Sequence, residues 1–369
     1  MSSAKDLMAS GVDASALRLN RVTLSYGNVE VLRELDLTLT PGEYCVVLGP
    51  SGGGKSTLLQ AIAGLVVPDS GSLFLNGRSL DRVSPKDRDV SLLFQNDRLY
   101  PHWSLRRTLE LANRHSPVGV SADAVKRIAS EFQISELLDR RPDQVSGGQL
   151  RRAALAKAIL RQPSVVLLDE PLDGLDASLR DEFVEMLRCF PRGRGADYPE
   201  TAIIHVTHDG GEAMRLADRI VVLQDGMIVQ TGSPEEVYRR PKTLAVATSL
   251  GVAPPNQIPL QRIRTVDVSL TTLLVEQTAK KTNLATVLIR PEAIRVVDAV
   301  EGKTGMTVVG NELLVPVSFV STRFVGGLWI SRWASQSQSW TTVAIEKPVG
   351  AIQNQQAALV IALDDLVCV

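Results

Sequence analysis

Nowhere in the 369 residues is there an unbroken apolar run of the about eighteen residues that cross a bilayer, so any membrane role falls to a partner and the chain reads as soluble. Cysteine is scarce. Cys45, Cys189 and Cys368 are far apart, odd in number and without CxxC spacing, which argues against a disulfide framework or a zinc site and fits a reducing compartment. Cys45 lies in the apolar stretch 44–48, where a small buried hydrophobe with an inert thiol is expected. Charge of one sign is missing too: 40 basic side chains stand against 41 acidic ones, leaving no global basic surface for nucleic acid or an acidic membrane. Residues 1–16 lack the basic start and apolar centre of a secretory signal and read as a loose tail.

What is present is an ordinary apolar fraction, 44%, spread over a length that exceeds one hydrophobic core, so two domains are expected. Residues 17–48 alternate apolar and polar side chains, as in Leu35-Asp36-Leu37-Thr38-Leu39, and predict half-buried antiparallel strands. After the Pro41-Gly42 turn, residues 44–48 predict a fully buried strand, and residues 57–64 a helix. Further buried strands are expected over 165–168, 202–206 and 220–223 with helices between them, which is the order of an α/β fold with a mainly parallel sheet. Helical spacing over 125–132 and 150–160 predicts an inserted helical subdomain across about 96–163. Past Val237, prolines and short β-rich runs such as 285–289 and 312–320 predict a smaller β domain over 238–369. No internal repeat is present.

The run Gly49-Pro50-Ser51-Gly52-Gly53-Gly54-Lys55-Ser56 follows a buried strand and precedes a helix opened by Thr57, the context in which this pattern forms a phosphate-binding P-loop. Glycines let backbone N–H groups converge on phosphates, and the helix presents its positive end. Lys55 is expected to reach the β and γ phosphates of a nucleoside triphosphate, and the Ser56 hydroxyl to ligate Mg²⁺. No Asn-Lys-x-Asp guanine-reading motif is present, so ATP is the expected nucleotide.

Residues 165–168 end in Asp169 and Glu170, two carboxylates at the carboxyl edge of the sheet beside the P-loop. Asp169 is expected to serve Mg²⁺ through its water shell, and Glu170 to act as the base that polarises an attacking water. Ser146-Gly147-Gly148-Gln149 opens the helix over 150–160, a helix start suited to an anion, or to a cap alone.

Taken singly, Tyr26 is a β-sheet packing residue, Gln95 a polar loop residue and His208 a strand-end cap. Together with the P-loop, Ser146 to Gln149, Asp169-Glu170 and Leu175-Asp176, their order and intervals resemble the ATP-binding subunit of an ABC transporter. The resemblance implies a head-to-tail pair of such subunits, with Ser146, Gly147, Gly148 and Gln149 of one capping the γ phosphate on the P-loop of the other. It also implies that Tyr26 stacks on adenine, that Gln95 senses Mg²⁺ and the membrane partner, and that His208 contacts the γ phosphate. Val145, Leu150 and Gly174 depart from the family's usual residues, Gly174 suggesting added flexibility, without removing a phosphate-contacting group.

Pro85-Lys86-Asp87-Arg88-Asp89-Val90, Leu93-Phe94-Gln95 and Leu99-Tyr100-Pro101-His102 look like the importer ATPases for sugars and glycerol phosphate, with Tyr100 on the surface that receives a membrane subunit. Ile289-Arg290-Pro291-Glu292 and the closing stretch 359–369 are similar to the OB-type regulatory domain of those importers, in which Trp329, Trp333 and Trp340 are expected to be packing residues rather than a ligand surface. The implied assembly is a homodimer on the cytoplasmic face of the membrane, bound to permease subunits and served by a solute-binding protein, with no nucleic acid. Ferric iron, sulfate and polyamines are alternative cargoes. A soluble ABC ATPase acting on ribosomes is the reading of another class, disfavoured because such proteins usually carry two cassettes.

Overall fold

The structure is a computed structural model that describes residues 15–95, 99–114, 123–188, 200–266, 286–298, 305–335, 338–345 and 356–369. It divides into two compact units, residues 1–234 and 235–369. Residues 1–14 of the expected tail lie outside the described residues, as do Cys189 and parts of the helical subdomain, residues 96–98 and 115–122. Ser15 and Ala16 correct the tail reading: both are buried, and the Ala16 N–H donates to the Leu39 carbonyl at 2.8 Å.

The first unit opens with an antiparallel sheet of β1 (Leu17–Tyr26), β2 (Val29–Leu39), β4 (Ser70–Leu75) and β5 (Arg78–Ser79), in the order β2-β1-β4-β5. Alternation buries Leu17 and Leu19 on one face, then slips so that Val22 and Leu24 take over. The slip is a bulge. Arg21 and, on the neighbouring strand, Glu34 adopt left-handed backbone, φ 45° and 44°, and their exposed side chains form an ion pair.

The main sheet has the order β10-β9-β3-β8-β7-β6, built from β3 (Tyr44–Leu48), β6 (Val90–Leu93), β7 (Val165–Asp169), β8 (Ala202–Thr207), β9 (Arg219–Gln224) and β10 (Met227–Gly232). The first five are parallel and β10 closes one edge antiparallel to β9. Strands β3 and β8 are buried at every residue, which is why they read as continuous apolar runs rather than alternating ones. Three connections leave the carboxyl ends of adjacent β3, β8 and β7, where open α/β sheets gather their ligands.

Helix α1 (Lys55–Ala63) starts two residues earlier than the spacing suggests and ends on Gly64, whose left-handed φ of 79° closes its last turn. Arg88 finishes that end. Its Nη1 donates to the Ala61 and Ile62 carbonyls at 2.9 and 2.7 Å, its Nε to Val83 and its Nη2 to Leu80. The motif around residues 85–90 therefore has a structural task, supplying donors to orphan helix carbonyls. The helical subdomain contains α2 (Leu105–Arg114), α3 (Ala124–Glu131) and α4 (Gly147–Leu160), burying Leu105, Leu109, Ile128, Leu155 and Ile159. Each such side chain contributes about 1.5–3 kcal/mol. The unit also holds α5 (Ala177–Arg188) and α6 (Gly210–Leu216).

The second unit begins with helices rather than strands, α7 (Pro234–Arg239) and α8 (Leu244–Leu250). Arg290 fastens them to the β part: its guanidinium lies 4.1 Å from the Tyr238 ring centroid and donates to the Tyr238 and Ala247 carbonyls. The β part pairs a three-stranded sheet of Asn256–Pro259, Thr286–Ile289 and Leu366–Cys368 with a larger sheet in which Glu312–Val325 runs beside Gln356–Ala362 and Leu328–Ala334. Trp333 and Trp340 are wholly buried, and the Trp333 indole donates to Thr342 Oγ1 at 2.9 Å, so both are core residues as expected.

Candidate functional site

The P-loop leaves β3 at Gly49, where the chain touches β9 so closely that an added Cβ would stand 2.2 Å from the Leu223 carbonyl oxygen. At Gly54 the backbone takes φ 94°, turning the loop into α1. Lys55 is folded back into the loop: its ammonium is 3.0 Å from the Gly49 oxygen and 2.9 Å from the Pro50 oxygen, with only 5% of the side chain exposed. Burial pulls its pKa below the ordinary lysine range, opposed by the charges of Glu170 and Asp169. The ammonium also lies 4.0 Å from Glu170 Oε1.

Ser56 Oγ donates to Asp169 Oδ1 at 3.1 Å, joining the helix start to the end of β7. Burial raises the Asp169 carboxyl above its ordinary range and the neighbouring Glu170 adds to this, while the Ser56 hydrogen bond and Lys55 oppose it. Glu170 sits in left-handed backbone, φ 44°, fixed by its N–H to the Val206 carbonyl at 3.0 Å. Its carboxylate meets three of the expected partners. Besides Lys55, His208 Nδ1 is 3.4 Å from Oε1, and Gln95 Nε2 is 3.4 Å from Oε2.

Lys55, Ser56, Asp169, Glu170, Gln95 and His208 thus form one cluster at the carboxyl ends of β3, β7 and β8, with Thr57 half-buried in the first turn of α1. Tyr26 stays outside this hydrogen-bonded cluster: it is 49% exposed, and its hydroxyl reaches Gln60 of α1 at 3.4 Å. Ser146 and Gln149 also stay outside. Ser146 Oγ accepts the Gln149 N–H and Gln149 Oε1 accepts the Ser146 N–H, a reciprocal cap on α4 that leaves Gly147 and Gly148 at the helix mouth. Leu99 is buried and Tyr100 is 51% exposed, its ring 4.5 Å from that of Trp103. Gly174 has φ 74° with open space around it, so it marks a left-handed turn.

Two members escaped the motif reading. Asp173 Oδ2 accepts from Gln95 Nε2 at 3.0 Å, adding a third carboxylate to the cluster. Arg151, two residues after the Ser146–Gln149 motif, donates to the carbonyls of Gln95, Glu170 and Pro171. A signal existed for each: Asp173 follows Asp169 by four residues, and Arg151 shares the first turns of α4 with the motif. Oxygen donors from Ser56 and Asp169 suit a hard divalent cation that takes its remaining ligands from water and phosphate. Among the described residues no group of three or more His, Cys, Asp or Glu is placed to hold a metal alone.

The sequence pattern of the ABC transporter family matches residues 32–173. The sn-glycerol-3-phosphate import ATP-binding protein UgpC 2 of Rhizobium johnstonii is 44% identical over 251 residues, covering 68% of this chain and 72% of its own length. UgpC 3 of Rhizobium etli is 39% identical over 298 residues, 80% of this chain and 82% of that protein. Among solved structures, the dimeric post-hydrolysis state of the ATP-binding cassette MJ0796 with ADP and Pi aligns with a TM-score of 0.52 at 25% identity, over 59% of this chain and 98% of that one. The ATP-binding subunit of an ABC transporter aligns with a TM-score of 0.53, over 61% of this chain and 92% of that one. With the same cassette fold, relatives of this identity over most of their length, and a P-loop facing a carboxylate-tipped strand, the chain belongs to the ATP-binding, ATP-hydrolysing proteins of the ABC transporter family.

Proposed function

We propose that this chain is the energy-supplying subunit of an importer for sn-glycerol-3-phosphate or a related sugar-class solute, acting as a homodimer bound to permease subunits at the cytoplasmic face of the membrane. The cargo follows from the relatives named for sn-glycerol-3-phosphate import. A solute-binding protein would deliver that cargo to the permease. The observation that carries the catalytic reading is the meeting of Lys55, Gln95 and His208 on the single carboxylate of Glu170.

In this reading Lys55 exchanges the Gly49 and Pro50 carbonyls for β- and γ-phosphate oxygens when ATP enters the loop formed by residues 49–56. Glu170 takes the proton of the attacking water, and His208 donates to a γ-phosphate oxygen. Tyr26, half-exposed beside α1, stacks on the adenine. Ser56, Gln95 and, through its water shell, Asp169 would hold Mg²⁺, which would supply positive charge against the phosphates. Gly147 and Gly148 at the mouth of α4 offer their N–H groups to the γ phosphate of a second copy, which is why they stand apart from the cluster of their own chain.

The test is twofold. Glu170→Gln should bind ATP normally and hydrolyse it about two to four orders of magnitude more slowly, because an amide cannot accept the proton. Mixing Gly148→Asp with Lys55→Ala subunits should restore part of the turnover through one intact composite site. Undiminished turnover in Glu170→Gln would remove the base assignment, and no recovery at any mixing ratio would remove the shared site. Loss of glycerol-3-phosphate uptake on deleting the gene supports the cargo; retained uptake reassigns it.

A further inference from the structure

Three residues before His208, the sheet interior holds a titratable side chain that the hydrolysis scheme does not use. His205 lies in mid β8, in register with Val46 of β3 and Leu168 of β7, and is wholly buried. Its Nδ1 is 3.0 Å from the Tyr44 hydroxyl and its Nε2 is 3.4 Å from Glu212 Oε2 on α6. Glu212 Oε2 also accepts from Thr207 Oγ1 at 2.8 Å, and Thr207 Oγ1 accepts the Asp209 N–H at 3.0 Å. Asp209 Oδ1 then takes the N–H groups of Gly211 and Glu212 to start α6, while its Oδ2 lies 3.5 Å from Arg180 of α5. The residues on both sides of His208 are therefore pinned by the bonds among Thr207, Asp209 and Glu212, against which His205 Nε2 stands at 3.4 Å.

With a neutral imidazole the protons in this set fall into one order. Burial, with the Glu212 charge adding to it, pushes the Tyr44 phenol well above its ordinary range, so Tyr44 donates. Burial raises Glu212 too, but the nearby His205 imidazole, the Thr207 hydrogen bond and the Arg180 charge outweigh it and hold that carboxyl below its ordinary range, so Glu212 only accepts. In the neutral ring Nδ1 of His205 accepts from Tyr44 and the hydrogen lies on Nε2, aimed at Glu212. At 3.4 Å this last link is stretched, and Nε2 has no closed hydrogen bond.

We propose that His205 is a positioning residue: the run Tyr44, His205, Glu212, Thr207, Asp209 sets the turn that presents His208 to the phosphate, so a side chain with no nucleotide contact governs the rate of hydrolysis. The inference rests on the reading of His208 as a phosphate contact. A purely space-filling histidine would be replaced by leucine without cost to the turn.

The experiment uses the full chain labelled with ¹⁵N-histidine, whose four imidazoles are few enough to assign, together with steady-state ATPase measurements. His205 should report the Nε2–H tautomer. His205→Leu should shift the His208 imidazole signals and lower kcat about tenfold with KM for ATP changed by less than roughly twofold. It should add no further loss in a His208→Ala background, and His205→Gln, whose amide N–H can reach Glu212, should recover most of the rate. Unshifted His208 signals in His205→Leu overturn the proposal whatever the rate. If they shift while His208→Ala turns over normally, the phosphate-contact reading of His208 falls and the positioning of the turn stands. Should His205→Leu fail to fold, Glu212→Ala removes the acceptor that His205 and Thr207 share and is read by the same two measurements.

Discussion

Arg151 donates to the main-chain carbonyl of Glu170 at 2.5 Å from the helix that begins at the Ser146–Gln149 motif. The same guanidinium takes the Gln95 carbonyl at 2.9 Å and the Pro171 carbonyl at 2.6 Å. One planar fork therefore ties the motif helix, the loop after β6 and the strained turn after β7. Left-handed backbone at a glutamate costs about 1–3 kcal/mol and persists only when its surroundings over-determine it. Arg151→Ala should thus lower kcat about ten- to a hundredfold while leaving ATP affinity within roughly threefold. Arg151→Lys should recover little, since an ammonium cannot span three carbonyls set in a fork. Steady-state kinetics beside nucleotide binding by fluorescence reads this, and a normal kcat in Arg151→Ala would remove the arginine from the catalytic support.

Gln95 and Asp173 make the next case. Carboxylates only accept, so the Gln95 amide must turn its N–H groups to Asp173 and Glu170, which leaves Oε1 as the free acceptor. That is the atom a divalent cation would use. Asp173→Ser should loosen this orientation and remove a nearby negative charge, raising the Mg²⁺ concentration for half-maximal ATPase by about three- to tenfold. Titration of Mn²⁺ by electron paramagnetic resonance in the presence of ATP gives the same shift without relying on turnover. An unchanged metal dependence would assign the Gln95–Asp173 contact to the resting chain alone.

The cluster around Glu170 was legible in the sequence because its members are local: a P-loop, two adjacent carboxylates and a histidine, each at the end of a strand that reads as buried. Arg151 stands beside the motif, but its task was hidden because its partners are main-chain carbonyls, which carry no side-chain signature. Strand β6 was hidden for another reason. Val90-Ser91-Leu92-Leu93 is a four-residue edge strand, too short to establish a period against the motif around it. In β1 the alternation breaks at Arg21, so residues 17–19 read as strand while the bulge that continues it shows only in three dimensions. The helices α7 and α8 that start the second unit were missed because the prolines and short β-rich runs past Val237 read as a β domain.

Arg88 tests how far a motif shared with importer ATPases is structural. Burial lowers its pKa below the ordinary arginine range, with Asp81 opposing, and its guanidinium meets four main-chain carbonyls. Arg88→Ala should leave the end of α1 with unmet buried acceptors and destabilise the first unit by about 2–4 kcal/mol. Arg88→Met, similar in length but without donors, should lose nearly as much. Thermal melts followed by tryptophan fluorescence and circular dichroism check this, and a loss restricted to Arg88→Ala would mean that packing rather than capping is the cause.

Cys45 offers a prediction with a defined sign. Burial in β3 pushes its thiol up from 9.0 to about 12, with Arg219 opposing and Glu43 adding to the rise. The thiolate that attacks electrophiles is then nearly absent in the folded chain at pH 8, so Cys45 should resist alkylation there and react once urea unfolds it. Peptide mass spectrometry after iodoacetamide separates it from Cys189 and Cys368. An acid whose folded pKa is raised favours the protonated, folded state, so unfolding releases a proton as pH climbs past the unfolded value. Stability owed to Cys45 should therefore decline between about pH 9 and 12, and Cys45→Ala should lack that part of the alkaline loss. Urea melts of the two proteins at pH 8 and pH 10 give the comparison: parallel losses would show that the thiol titrates as freely in the folded chain as in the unfolded one.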